Sequence, residues 1–120
     1  MISSELRIGN YVASTNFKYI IKEVGEKYVR IKDINLDYDY NYPLCEITNL
    51  KPIPLTEDIL IDFGFSNLEL DNGEFYYQIN KFRLNSNYSG FYYSNNLVIK
   101  YVHQLQNLYF CLTGEELIIK

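Results

Sequence analysis

The most informative segment of the chain is Tyr101–Lys120, with the sequence YVHQLQNLYFCLTGEELIIK. Its apolar residues recur at helical spacing, and its polar residues fall mostly on the opposite face. The apolar face carries Val102, Leu105, Leu108, Tyr109 and Leu112, and the polar face carries Gln104, Gln106 and Asn107. The spacing therefore predicts an amphipathic C-terminal helix over about 101–113, closed by Gly114.

The N-terminal third of the chain predicts strands. Residues 6–12, 17–24 and 27–34 alternate apolar and polar side chains. The second and third of these strands form a hairpin, with Gly25 supplying a positive φ in a tight turn. Three short strands at this spacing predict a bent, SH3-like β-hairpin or barrel portion.

The middle of the chain combines a loop, a strand and a helix. Residues 35–43 break the alternation, and residues 45–50 predict a further strand before Pro52. Thr56 is placed as the N-cap of a short helix over about 56–63, which Gly64 ends.

The second half of the chain predicts an antiparallel meander over about 68–99. Its strand candidates are residues 68–70, 75–79, 82–85, 90–93 and 97–99, separated by segments rich in Asn, Ser, Asp and Gly. Together with the two helices, this predicts an α+β fold. The length of 120 residues predicts a single domain over 1–120.

The charge balance bears on the class of partner. The net charge is −4, and it is spread evenly: residues 1–60 carry 7 basic and 9 acidic groups, and residues 61–120 carry 4 and 6. Direct nucleic-acid binding that relies on phosphate neutralisation is therefore not expected. The first residues lack the pattern of a signal peptide, and no apolar run approaches transmembrane length, so we expect a cytoplasmic protein without membrane contact.

The residues that usually carry chemistry are few. His103 is the only histidine, and its helical neighbours are Leu and Asn rather than carboxylates, so a partly exposed helix histidine is expected. Cys111 lies eight residues further on, roughly 12 Å along a helix axis, and is expected to be a buried structural thiol. Neither Cys111 nor Cys45 stands in a metal-ligand pattern. We therefore predict no catalytic residue, no metal and no cofactor, and a protein that is not an enzyme.

One segment outside the expected core is rich in interface residue types. It places two carboxylates and three tyrosines within a few residues, and the predicted partner contacts are Asp37, Tyr38, Asp39, Tyr40 and Tyr42. Carboxylates engage Arg and Lys surfaces, and clustered Tyr anchors many interfaces. The alternative is a solvated edge strand with one packed face. The same two alternatives, interface contact or packing within a sheet, apply to three further tyrosines: Tyr88, Tyr92 and Tyr93. Sheet packing is favoured for them.

Three segments together carry a family resemblance: residues 5–12 (ELRIGNYV), residues 50–60 (LKPIPLTEDIL) with Phe63-Gly64-Phe65, and residues 101–117 (YVHQLQNLYFCLTGEEL). The chain resembles a family of small proteins encoded by phages, prophages and mobile elements of Bacteroidota. That family has no established catalytic residues to carry over. Cys111 departs from the pattern, which has a small residue such as Ala there, and residues 37–43 are particular to this chain.

The resemblance implies a phage setting, in which short proteins without enzymatic signatures bind and block host proteins. The leading hypothesis is an inhibitor of a host defence machine, an anti-CRISPR acting on an RNA-guided (type VI-B) nuclease. The partner would be the host protein, a CRISPR effector or its guide-RNA complex. A structural or accessory phage protein, such as a homodimer joined through strand edges, is the second hypothesis. A small nucleic-acid-binding module is the third.

Overall fold

The computed structural model describes residues 1, 3–15, 17–37, 41–70, 74–87, 89–94 and 97–119. The described elements are, in chain order, β1 (Tyr11–Ala13), β2 (Lys18–Val24), β3 (Tyr28–Asp33), β4 (Leu44–Glu46), α1 (Glu57–Phe63), β5 (Ser66–Glu69), β6 (Phe75–Ile79), β7 (Phe82–Asn87), β8 (Gly90–Tyr93), β9 (Leu97–Ile99) and α2 (Val102–Thr113). Short 3-10 turns span Ser3–Glu5 and Ile47–Asn49. The predicted α+β class is confirmed.

The chain divides into two compact units. Residues Met1–Ile53 and Val102–Asn107 form the first, and Pro54–Tyr101 with Leu108–Lys120 form the second. Each unit contains one antiparallel sheet and a part of α2. The single domain expected over 1–120 stays a prediction.

The first unit contains a four-stranded sheet in the order β1-β2-β3-β4. One face of this sheet is apolar because the strands alternate, and Ile21 pairs directly with Ile31 across β2 and β3. The core residues of the unit are Leu6, Val12, Ile21, Val29, Ile31, Ile47 and Leu50. Ala13 also exchanges two backbone hydrogen bonds with Lys51, at 2.9 and 2.7 Å, on the other edge of β1. The SH3-like comparison stays a prediction.

Two local details of the first unit differ from the sequence-based expectation. The first strand begins at Tyr11 rather than residue 6, because Gly9 has a φ of 96° and the Asn10 side chain accepts from the Arg7 amide at 2.7 Å. The β2–β3 hairpin is confirmed, but Gly25 does not have the positive φ expected of it. Space is the constraint there, since a Cβ on Gly25 would lie 2.8 Å from the carbonyl oxygen of Tyr28.

The second unit contains α1 and a five-stranded antiparallel meander in the order β5-β6-β7-β8-β9. Thr56 caps α1 as predicted: its Oγ1 accepts from the Ile59 amide at 3.3 Å, and Gly64 closes the helix with a φ of 101°. The meander is confirmed, with its first strand at Ser66–Glu69 instead of 68–70 and β7 extended to Asn87. The Asp71-Asn72-Gly73 turn lies outside the described residues.

The position of α2 is confirmed, but the division of its faces is partly wrong. The polar-face prediction for Gln106 and the partial exposure predicted for His103 are both wrong, because both side chains are buried. Leu112, assigned to the apolar face, is 52% exposed. Periodicity alone assigns a polar residue to the solvent-facing side of a helix. It carries no information about backbone groups of other segments to which a buried amide side chain can hydrogen-bond. Among the described residues, no helix is long and apolar enough to cross a membrane.

Candidate functional site

A buried amide network joins α2 to the segment before β1 in the first unit. We use this name for the side chains of Asn10, Gln106 and Asn107. Gln106 Nε2 donates to the Gly9 carbonyl at 2.9 Å, and Gln106 Oε1 accepts from the Tyr11 amide at 2.8 Å. Asn10 Nδ2 donates to Asn107 Oδ1 at 2.8 Å. Gln106 and Asn10 are fully buried and satisfied, as buried polar groups usually are.

Two further contacts extend the network to residues 5 and 7. Asn107 Nδ2 donates to the Glu5 carbonyl at 2.9 Å. The Arg7 side chain donates from Nε to Asn107 Oδ1 at 3.2 Å. Two of the segments that carried the family resemblance therefore meet here, and their polar residues hold the backbone in place. The hydrogen bonds therefore give these polar residues a structural role and indicate no catalytic or ligand-binding role.

His103 lies beside this network and differs from its expected environment. It is only 2% exposed, and its Nε2 lies 3.9 Å from Glu5 Oε2, so a carboxylate does face it. Burial lowers the pKa of His103 below its ordinary value, and the nearby Glu5 carboxylate opposes that shift. The expected partly exposed histidine is therefore wrong, because sequence neighbours on α2 do not show what another segment brings close.

The two thiols also differ from one another. Cys111 is exposed, which overturns the buried structural thiol that was expected. Cys45 is half-buried, and burial, followed by the Glu46 carboxylate, raises the pKa of its thiol. Neither is in a disulfide. Within the described part of the chain, no three His, Cys, Asp or Glu side chains are grouped so that they would hold a metal ion.

The structure describes the predicted contact segment, residues 37–42, only at its two ends. Asp37 is exposed, Tyr42 is half-buried, and Tyr38, Asp39 and Tyr40 lie outside the described residues. The Tyr42 carbonyl accepts from Arg30 Nη1 at 3.0 Å, and Lys22 Nζ lies 5.5 Å from the centre of the Tyr42 ring. Tyr42 therefore fixes the end of the segment against β2 and β3.

Sequence reasoning did not identify a second surface, on the five-stranded sheet. Strand pairing places one residue of every strand in a continuous cross-strand row, which we call the tyrosine row. Its members are Leu68, Tyr76, Asn85, Tyr92 and Val98. Directly paired residues share a face of an antiparallel sheet, so all five side chains lie on the same side. Leu68 is 40% exposed and Val98 is 42% exposed.

The helices of the second unit pack on the other face of this sheet. That inner face carries Phe82, which stacks on Tyr93 at 5.1 Å and meets Tyr109 of α2 edge-on at 5.2 Å. Asn67, also on the inner face, donates to Glu57 of α1 at 3.1 Å. The tyrosine row is thus left without a helix over it among the described residues. Sheet packing holds for Tyr93, while Tyr92 faces outward and Tyr88 is outside the described residues.

Arg83 adds a cation to the outward face. Arg83 and Tyr76 lie on the same side of the sheet, with the guanidinium carbon 4.1 Å from the centre of the Tyr76 ring. No family model, no curated protein and no solved structure matches this chain, so its candidate sites are argued from geometry.

Proposed function

We propose that this chain is a non-enzymatic binding protein whose second unit docks on another protein through the tyrosine row. Following the family resemblance, the proposed partner is a host defence machine that a phage or mobile element must block. An RNA-guided nuclease of type VI-B, bound as the effector protein or as its guide-RNA complex, is the first candidate. Docking would inhibit it by occupying a surface that guide or target RNA needs.

One observation carries this proposal: a row that crosses all five strands, with Leu68, Asn85 and Val98 exposed and Tyr76 and Tyr92 half-buried, has no helix over it among the described residues. The two tyrosines of the row and the neighbouring Arg83 are residue types that interfaces favour, because Tyr and Arg are enriched at energetically important contacts and Lys, Glu and Asp are depleted. Arg83 stacked on Tyr76 presents a flat surface whose guanidinium donors can still bond a partner. The row itself contains no carboxylate and no lysine.

The predicted contact segment supplies a second, acidic element in the first unit. Asp37 is exposed, and Tyr42 holds the return of the segment to β4. Carboxylates complement the basic channels that bind RNA, and charged rim contacts accelerate and orient association. Asp37, Tyr38, Asp39, Tyr40 and Tyr42 remain the proposed contacts of this segment.

The test compares two double variants that change the same chemistry at different places. The row variant is Leu68→Lys with Val98→Lys. The matched control is Ile61→Lys with Leu112→Lys, which also replaces two exposed aliphatic residues of the second unit by lysine. Tagged proteins are incubated with RNase-treated host lysate, recovered proteins are identified by mass spectrometry, and nuclease activity is measured with each purified protein.

We expect the wild-type protein and the control to recover one defence nuclease and inhibit it, and the row variant to lose both properties. Equal behaviour of the two variants would remove the tyrosine row from the proposal. If the protein recovers only phage proteins or a second copy of itself, the accessory or homodimer reading replaces inhibition. Light scattering of the purified chain then decides whether the row joins two copies.

A further inference from the structure

The strand β5 forms one edge of the five-stranded sheet and directs backbone hydrogen-bonding groups away from it. The Leu70 amide donates to the carbonyl of Glu74, the residue directly opposite, at 2.7 Å, and this bond sets the alternation of the ladder between β5 and β6. By that alternation, the amide and carbonyl groups of Asn67 and Glu69 point away from β6. Among the described residues no strand lies beyond β5, so these backbone groups face an incoming strand.

The edge of β5 lacks most of the features that usually protect a sheet edge. Proteins block such edges with lysine, proline, a bulge, or a covering helix or loop. The strand contains no lysine and no proline, its pairing with β6 is regular over its whole length, and all of Ser66–Glu69 is exposed. An edge of this kind is a template for strand addition, in which a partner segment pairs with it through main-chain hydrogen bonds.

The segment that contains α1, β5 and β6 carries negative charge only. Residues 52–80 contain no lysine, arginine or histidine, and their acidic residues are Glu57, Asp58, Asp62, Glu69, Asp71 and Glu74. Asn67 donates to the Glu57 carboxylate at 3.1 Å, on the inner side of the sheet. Glu69 points to the same side as Asn67, because strand residues two apart share a face. Two carboxylates therefore lie on the inner side of this edge.

No cation of the described residues neutralises these two carboxylates. Neither Glu57 nor Glu69 forms an ion pair there. Arg83 of β7 lies on the other face of the sheet, over the Tyr76 ring. A second copy of β5 would bring like charges together, whereas lysines or arginines of an added strand would meet opposite charges. The charge of the edge therefore favours a basic partner over self-association.

We propose that β5 binds an extended segment of a basic protein, in which Lys or Arg alternates with apolar residues, as a sixth strand of this sheet. An apolar residue opposite Leu68 lies on the same face as the tyrosine row, and cations opposite Asn67 and Glu69 face the carboxylates of the inner side. Main-chain hydrogen bonds supply affinity, and the alternating side chains supply specificity. A segment that touches no other part of the tyrosine row can pair with β5, so this inference does not depend on the proposed function.

The experiment follows the backbone amides of the full chain by NMR while a synthetic peptide is added. The peptide has about eight residues, the length of an ordinary strand, in which lysine and valine alternate. In the free protein, the amides of Asn67 and Glu69 should exchange with solvent faster than those of Ser66 and Leu68, which are bonded to β6. When the peptide occupies about nine tenths of the protein, exchange at Asn67 and Glu69 should slow about tenfold, because only the free tenth exchanges.

Two substitutions at one position separate backbone pairing from charge. Glu69→Ala and Glu69→Pro both remove the carboxylate, but only proline also removes the amide that points away from β6. Glu69→Pro should bind the peptide about tenfold more weakly than Glu69→Ala, the scale of one lost main-chain hydrogen bond. Val98→Lys, at the other end of the tyrosine row, should leave peptide binding unchanged. Thermal unfolding verifies that each variant is folded, and the exchange pattern of the wild type tests the inference even where the proline variant is not.

Three results would overturn the inference. The first is unchanged exchange at Asn67 and Glu69 in the wild-type protein with the peptide at about 2 mM, a concentration that detects even millimolar binding. The second is equal affinity of Glu69→Ala and Glu69→Pro, which would mean that the peptide is held by charge without strand pairing. The third is equally tight binding of a peptide in which glutamate and valine alternate, which would show that the edge has no preference for a basic partner. Loss of nuclease capture with peptide binding intact would count against the proposed function alone.

Discussion

The side-chain oxygen of Gln106 accepts a hydrogen bond from the backbone amide of Tyr11 at 2.8 Å. The same side chain donates to the Gly9 carbonyl, so one glutamine of α2 satisfies two backbone groups at the start of β1. Gln106 is fully buried, and no apolar residue offers both a donor and an acceptor there. The helix therefore fixes the entry into the first sheet by polar contacts.

The first prediction concerns that glutamine. Gln106→Ala leaves the buried Tyr11 amide and the part-buried Gly9 carbonyl without this partner, and each such group costs up to about 1–3 kcal/mol. We expect the free energy of unfolding to fall by about 2–5 kcal/mol, measured by chemical denaturation. The control is Gln104→Ala on the exposed side of α2, which should change stability by less than about 0.5 kcal/mol. Equal effects of the two substitutions would show that the network contributes little.

Residue pattern alone predicted most of the architecture. Alternation placed β2, β3 and β6, and the pair Thr56 and Gly64 placed α1, because these signals depend on nearby residues only. The burial of Gln106 could not be predicted in this way, since its partners lie about a hundred positions earlier in the chain.

The candidate surfaces show the same limit. The tyrosine row exists because register aligns residues from different strands, such as Leu68 with Tyr76 and Asn85 with Tyr92. Register depends on turns and on the buried face of the sheet, which composition does not reveal. Residues 37–42, contiguous in sequence, were the surface that sequence reasoning could propose.

The second prediction concerns the pH dependence of stability at His103. Burial lowers its pKa in the folded protein below the ordinary value of about 6.5, so the unfolded chain binds the proton more tightly. The stability is therefore fully present above about pH 6.5 and is lost as pH falls from there toward the folded pKa. Because the chain has a single histidine, its ring proton resonances report that pKa directly by NMR.

Two variants make the His103 prediction specific. Glu5→Gln should lower the folded pKa of His103 further, because the Glu5 carboxylate raises it in the wild type. His103→Gln should remove this part of the acid sensitivity below about pH 6.5. A folded pKa at or above the ordinary value would contradict the burial of this ring.

The third prediction concerns the relative reactivity of the two thiols. Cys111 is exposed on α2, whereas Cys45 is half-buried and its thiol pKa is raised by burial and by Glu46. Since the thiolate is the nucleophile, alkylation by iodoacetamide near about pH 8 should modify Cys111 first. Peptide mass spectrometry over time measures both rates in one sample, with Cys111→Ala as the control. Faster labelling of Cys45 would show that its surroundings open in solution.

The fourth prediction concerns the charge of the predicted contact segment, residues 37–42. Asp37→Lys with Asp39→Lys should lower affinity for a partner with a basic channel by about tenfold or more, because attraction becomes repulsion. The control, Glu115→Lys with Glu116→Lys, makes the same charge change at two exposed residues of the second unit. An equal loss of partner affinity in the variant and the control would mean that net charge, rather than this segment, governs association. Unchanged partner affinity would remove Asp37 and Asp39 from the proposed contacts and leave the tyrosine row as the surface to test.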